Sequence, residues 1–169
     1  MILNKETIFT KDAANRKIRV RREFDAPREL VWKAWTEKEL LDQWWAPKPW
    51  QAHTTQMDFR EGGTWLYYME GPDGTRHFAR ADYGPIEPKR SFEAQDSFCD
   101  ENGTIMPEPP GMHWVNVFSV SEQGTRVDVE ISFDSEASME KIIEMGFQEG
   151  FTAAHGNLDE LLESLVKTG

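Results

Sequence analysis

The sequence predicts an α+β domain: two short helices, an antiparallel meander and one long C-terminal helix laid on the sheet. Three observations predict it. Two short helical segments with their own start and stop signals lie between Asp25 and Pro49. Strand-like segments separated by turn residues then fill His53–Phe133. The chain closes on an amphipathic stretch, Ala137–Lys167, with one broad apolar side.

The bulk numbers narrow the function classes. At 169 residues the chain is read as an N-terminal arm, 1–15, and one domain, 16–167. Hydrophobic residues make up 38% and charged residues 29%, as in a globular chain. Aromatics reach 12%, enough to line a concave apolar site. The net charge of -11 argues against nucleic-acid binding, which needs clustered Lys and Arg, and against anionic membranes. One cysteine, Cys99, rules out an internal disulfide and a cysteine-based metal cluster, and is read as a buried neutral thiol. There is no basic-then-apolar leader and no apolar run of membrane-spanning length, so a cytoplasmic location is expected.

The arm carries a short strand at Thr7–Thr10. Lys17–Phe24 alternates as a strand, and the basic run Arg16–Arg22 is expected to lie on its outward face. Asp25 is expected to cap the first helix, with Pro27 in the first turn, where its missing N–H is harmless. Leu30, Val31, Ala34 and Trp35 give that helix its apolar stripe. Thr36 and Glu39 stand at capping-box spacing and start a second helix, about Glu37–Trp44. It stops before Pro47 and Pro49. This stretch, Phe24–Trp50, holds five of the seven tryptophans, and Trp44, Trp45 and Trp50 are expected to close one end of the sheet.

The strands follow in order: Thr54–Phe59, Thr64–Glu70, Thr75–Tyr83, Arg90–Phe98, His113–Val120 and Thr125–Phe133. Glu61-Gly62-Gly63, Gly71-Pro72-Asp73-Gly74 and Glu122-Gln123-Gly124 are turns, and Gly84-Pro85 with Pro88 reads as a corner. Trp65, Tyr67 and Met69 share one face of their strand, as do Ala79, Ala81 and Tyr83 on the next. Large residues opposite small ones leave volume. Asp100–Gly111 is long and proline-rich, and is either a lid over a pocket mouth or a solvated hairpin tip. Apolar residues on both faces of His113–Val120 hint at a homodimer.

On the last helix Met139, Ile143, Gly146, Gly150, Ala154, Leu158, Leu161 and Leu165 share the inward face. Two inward glycines, each destabilising by roughly 1 kcal/mol against Ala, imply that something there needs space. Asn157 is the inward polar residue, bonding either a backbone or a ligand. The wheel puts His155 opposite the stripe, toward solvent.

None of the four histidines, His53, His77, His113 and His155, stands at metal-site spacing, so no metal is expected. Asp58, Glu61, Asp82, Glu93 and Asp96 alternate along strands. Any that faces inward would have a raised pKa and could act as a general base, but solvent is the default. No nucleophile elbow, P-loop or dinucleotide fingerprint occurs, and no cofactor is expected.

The element order, with FDAPRELVWKAWT, the Trp44-Trp45-Ala46-Pro47 stop, MDFREGGTW, Pro72-Asp73-Gly74 and Gly146-Phe147, resembles the START-like SRPBCC superfamily. Within it the chain is similar to the branch named for the activator of heat-shock-protein-90 ATPase, over roughly Lys17–Val166. The resemblance implies a helix-grip fold, a curved antiparallel sheet gripping the last helix around an internal cavity. Related domains bind lipids, polyketides or hormones; some are cyclases, and some act through partner proteins. Phe147 stands where a Trp is often found, and the family has no invariant catalytic set to carry over.

The expected function is therefore binding of a small apolar or amphipathic molecule between sheet and helix. The candidate ligand-binding residues are Trp45 and Trp50 at the sheet end and Trp65, Tyr67, Tyr83 and His113 on strands. Met139, Ile143, Gly146, Phe147, Gly150 and Asn157 complete the set from the helix. The alternatives are a cyclase- or hydrolase-type enzyme in the same cavity, or a chaperone-ATPase co-regulator acting by protein contact.

Overall fold

In the computed structural model, which describes residues 6–168, eight strands form one antiparallel sheet. They are β1 (Ile8–Asp12), β2 (Lys17–Phe24), β3 (Gln51–Met57), β4 (Thr64–Glu70), β5 (Arg76–Glu87), β6 (Ser91–Cys99), β7 (Met112–Ser121) and β8 (Gly124–Ser132). Their order across the sheet is β1-β2-β8-β7-β6-β5-β4-β3. The helices are α1 (Arg28–Thr36), α2 (Lys38–Trp44), α3 (Glu136–Glu144) and α4 (Phe147–Thr168). The sheet curves around α4 in the helix-grip arrangement. The described part of the N-terminal arm is an edge strand, pairing Ile8 with Arg21 through Asp12 with Lys17.

Period-2 alternation explains which side chains enter the core. On β2, Ile18, Val20 and Phe24 are buried, while Lys17, Arg19 and Arg21 pair outside with Glu130 and Asp128 of β8. The expectation that the whole basic run faces out fails at Arg22. It has the parity of Ile18 and Val20, is only 4% exposed, and binds the Asp159 carboxylate of α4 from within. Burial of that charge is tolerated because its partner and the Glu23 carbonyl meet it.

Both expected helix caps are corrected. Pro27, not Asp25, is the N-cap of α1, and no side chain caps it. Glu37, not Thr36, caps α2, again without a side-chain bond. The Thr36 hydroxyl instead donates to the Trp32 carbonyl 2.8 Å away, closing the end of α1. The restart between the helices comes from the extended backbone of Glu37.

The corner falls at Pro88 and not at Gly84-Pro85: β5 runs on to Glu87, and residues 88–90 make the turn into β6. The pairing of β5 with β6 shifts register between Tyr83 and Ile86, and such a bulge is where a strand accommodates proline. Residues 100–111 fold back over the outer sheet face, where Arg80 donates to the Gly103 carbonyl at 2.8 Å. Cys99 is buried, and burial raises its thiol pKa.

The C-terminal segment is two helices rather than one. Gly146 has φ +90°, a conformation that ends α3 in the manner of a C′ glycine. The break resets the helical phase, so the inward face of α4 is Phe151, Ala154, His155, Leu158 and Leu162. His155 therefore does not face solvent. It is 1% exposed, packs against Phe151 and Phe24, and meets the Thr7 hydroxyl at 3.0 Å. Burial pushes its pKa down to about 3, and the Arg22 charge adds to the shift.

Candidate functional site

A pocket of about 270 Å³ opens between the inner sheet face and the start of α4. Strands β4, β5, β6 and β7 supply Tyr67, Met69, Ala79, Phe98 and Trp114. Ile142, Met145, Gly146, Phe147, Gly150 and Phe151 form the helical wall. Trp45 and Pro47, just past α2, close one end, and His77 lines the rim. The volume lies near the lower end of the roughly 300–1,000 Å³ of drug-sized sites, which suits a one- or two-ring molecule.

Trp45 holds the centre of this arrangement. Its Nε1 donates to the Tyr67 hydroxyl at 3.0 Å. Its ring centroid lies 5.2 Å from Trp44, 5.6 Å from Trp65 and 5.8 Å from Trp114. Tyr67 is stacked on Trp65 at 3.9 Å, and Trp65 is tied to the Thr54 hydroxyl. The aromatic wall is thus fixed by hydrogen bonds at its edges as well as by packing.

Among the described residues, Asp96 is the one acidic side chain lining the pocket. It shares the inward parity of Phe92 and Ala94 on β6. Protein surrounds its carboxyl except on the cavity side, and this burial pushes its pKa up to about 8, with the Asp82 carboxylate adding to the rise. At neutral pH it is largely the uncharged acid, able to donate a hydrogen bond into an apolar space. The same burial raises the pKa of Tyr67 and Tyr83. Of the five strand carboxylates, Glu93 instead faces outward to His113, Asp82 is held by Arg80 and Asp58 by Arg60, and Glu61 accepts from the Ile86 amide. Among the described residues, no group of three or more His, Cys, Asp or Glu side chains converges as a metal site would require.

The structure brings together five of the expected ligand residues on the pocket: Trp45, Tyr67, Gly146, Phe147 and Gly150. Trp65 and Tyr83 lie deeper, around a small recess behind it. The other five lie off the lining. Trp50 packs on Gly71 and lies 5.2 Å from the His77 ring, beside the rim. His113 turns to the outer face because its neighbour Trp114 turns in. Met139 is fully buried core, and Ile142 takes the place expected of Ile143 because the helix phase differs. Asn157 donates to the Ala46 carbonyl at 3.0 Å and the Trp44 carbonyl at 3.4 Å, so it fastens the end of α2 to α4. No residue of 100–111 lines the pocket, and the loop is instead fastened to the outer sheet face through Arg80 and Gly103.

Two lining residues could have been singled out from sequence. Phe92, Ala94 and Phe98 alternate with Glu93, Gln95 and Ser97, which assigns Asp96 to the apolar side. Trp114, Asn116 and Phe118 follow the same rule. Phe151 and Met145 carried no such signal, because their direction depends on the break at Gly146.

The profile of the Activator of Hsp90 ATPase homolog 1-like protein family matches residues 25–163. The chain is similar to a solved protein from Arthrobacter aurescens, with 33% identity and TM-score 0.87 over 93% of this chain and 91% of that one. It is also similar to protein Ms6760 from Mycobacterium smegmatis, with 26% identity and TM-score 0.86 over 93% and 97%. A likeness to the AHSA1 protein SPO3351 from Silicibacter pomeroyi, at 19% identity and TM-score 0.69 over 87% and 97%, concerns the fold. Among curated proteins none matches. No described helix is long and apolar enough to cross a membrane.

Proposed function

The chain belongs to the family of Activator of Hsp90 ATPase homolog 1-like proteins, and on that premise we propose that it binds one small apolar or amphipathic molecule in the pocket between the sheet and α4. The observation that carries this reading is the pocket itself. It has aromatic walls, a glycine-lined helical side and a single acid, Asp96. Close packing is the default inside proteins, so open apolar space walled by rings needs a reason. An occupant with a ring body and a small polar group suits it. The proposed setting is the cytoplasm, where a lone free cysteine stays reduced.

Mass spectrometry of the purified protein under native conditions tests the reading. An added mass on the folded protein, released on denaturation, is the expected result. Absence of any added mass, together with no saturable uptake of a neutral two-ring probe, would contradict it.

A second reading, an enzyme of the cyclase or hydrolase kind, is favoured by Asp96. A carboxyl titrating near 8 is suited to give and take a proton close to neutral pH. Once an occupant is identified, its conversion by wild type and not by Asp96→Asn, with binding retained in both, separates the enzyme from the binding module. Unchanged occupant in both rules out turnover.

A further inference from the structure

Behind the pocket lies a recess of about 20 Å³. Trp45, Asp96 and Trp114 line both spaces and stand between them. Trp35, Tyr83 and Asn116 are among the residues around the deeper space. Three of these side chains carry buried polar atoms with no hydrogen-bond partner among the described residues: Trp35 Nε1, Trp114 Nε1 and Asn116 Oδ1. Buried polar groups are almost always paired, and here three residues around one small void break that rule together. The other Asn116 side-chain atom is engaged, its amide donating to the Phe92 carbonyl at 3.4 Å.

Resting on the reading of the pocket as a ligand site, we infer that this recess receives a single uncharged hydroxyl of the ligand, whose apolar body fills the pocket. Size sets the first limit, since a space of this order holds about one water-sized group. The lining sets the second. The unpartnered atoms of its lining residues are two indole donors and one amide acceptor, the set that one hydroxyl would complete. A hydroxyl satisfies both kinds of partner, whereas a ketone satisfies only the donors. Charge sets the third. Among the described residues neither space is lined by Lys or Arg, and His77 stands at the pocket rim rather than at the recess, so a carboxylate or phosphate there would be desolvated beside Asp96 without a countercharge. The ligand class is therefore a neutral phenol or alcohol on a ring body, not a fatty acid or a phosphate ester.

Calorimetric titration with naphthalene, 2-naphthol and 2-naphthoate at pH 7 tests this. The expected result is 2-naphthol binding about tenfold or more tighter than either of the others, the effect of one good hydrogen bond. Trp114→Phe, which keeps a ring and removes one donor, is expected to weaken 2-naphthol more than naphthalene and so to shrink the preference between them. A crystal structure of the wild-type complex serves if that variant does not fold, with the naphthol oxygen expected within hydrogen-bond reach of Asn116 Oδ1. Equal affinities for all three probes, or a naphthol oxygen lying outside the recess, would overturn the recess assignment and leave the pocket reading standing. Tightest binding of 2-naphthoate would overturn the exclusion of anions. No binding by any probe would overturn the pocket reading and this inference with it.

Discussion

Trp45 and Tyr67 are joined by a 3.0 Å hydrogen bond from the indole Nε1 to the phenol oxygen. The bond ties the end of α2 to strand β4 across the closed end of the pocket, 22 residues apart in sequence. Tyr67→Phe removes the acceptor and leaves the indole N–H without it. A loss of about 1–2 kcal/mol is expected, read as a lower midpoint in urea unfolding with an unchanged slope. A midpoint within error of wild type would mean that the bond adds nothing to the fold.

The two glycines on the helical wall are expected to respond in opposite directions. Gly146 needs its φ of +90° to end α3, so Gly146→Ala forces a left-handed residue and is expected to destabilise by about 1–2 kcal/mol. Gly150 lies within α4, and a Cβ there would meet only Pro47 Cγ at an ordinary 3.8 Å. Gly150→Ala is therefore expected to stabilise by up to about 1 kcal/mol through helix propensity. Thermal unfolding of both variants checks the pair, and the same sign for both would contradict it.

Asn157 acts through structure. Its amide bridges the Trp44 and Ala46 carbonyls, and Asn157→Ala leaves both without that donor. Chemical denaturation is expected to show a loss of about 1–3 kcal/mol, while the affinity of a pocket probe changes little. A large affinity loss at unchanged stability would instead place Asn157 at the ligand.

Asp96 and His155 give stability two opposed pH dependences. Asp96 holds its proton up to about 8 when folded and releases it near 3.8 when unfolded. The native state thus binds more protons over that window, and stability falls as pH rises, by about 1.4 kcal/mol per unit. His155 stays neutral down to about 3 when folded and takes a proton near 6.5 when unfolded. Over that window the unfolded state binds more protons, and stability falls as pH drops. Between about 4 and 6.5 the two slopes oppose each other; between 6.5 and 8 only the Asp96 slope acts. Asp96→Asn is expected to remove the loss above pH 6.5, on the order of 2 kcal/mol by pH 8, and to expose the acid-side loss from His155. Unfolding free energies from pH 5 to 8 decide this, and parallel curves for wild type and variant would contradict the placement of Asp96.

The legible part of the fold was the part governed by local rules. Lys17–Phe24 and Thr64–Glu70 were read to their observed ends, because alternation and flanking turn residues mark strands directly. The unread part depended on tertiary geometry. Gly146 looked like a small residue making room, yet its backbone conformation splits the helix. With the phase reset there, His155 faces inward and Ile142 takes the place that an unbroken helix assigns to Ile143. Gly84-Pro85 reads with Pro88 as a corner, but a bulge carries the strand past Pro85 and leaves the corner to Pro88. For the candidate site, the aromatic strand face and the glycine wall were visible in the sequence. The inward turn of Asp96 was encoded in the alternation of β6 and needed the neighbouring rings to be read with it.

Gly150→Leu probes the pocket most directly. A Cβ there would meet only Pro47 Cγ, at 3.8 Å, and a longer side chain would extend from the helical wall of the pocket. Titration of 2-naphthol into wild type and Gly150→Leu, with unfolding measured on both, is expected to show saturable one-to-one binding in wild type. Binding should be lost, or weakened at least about tenfold, in a variant that is no less stable. Equal binding in the two proteins, or none in wild type, would contradict a ligand site between the sheet and α4.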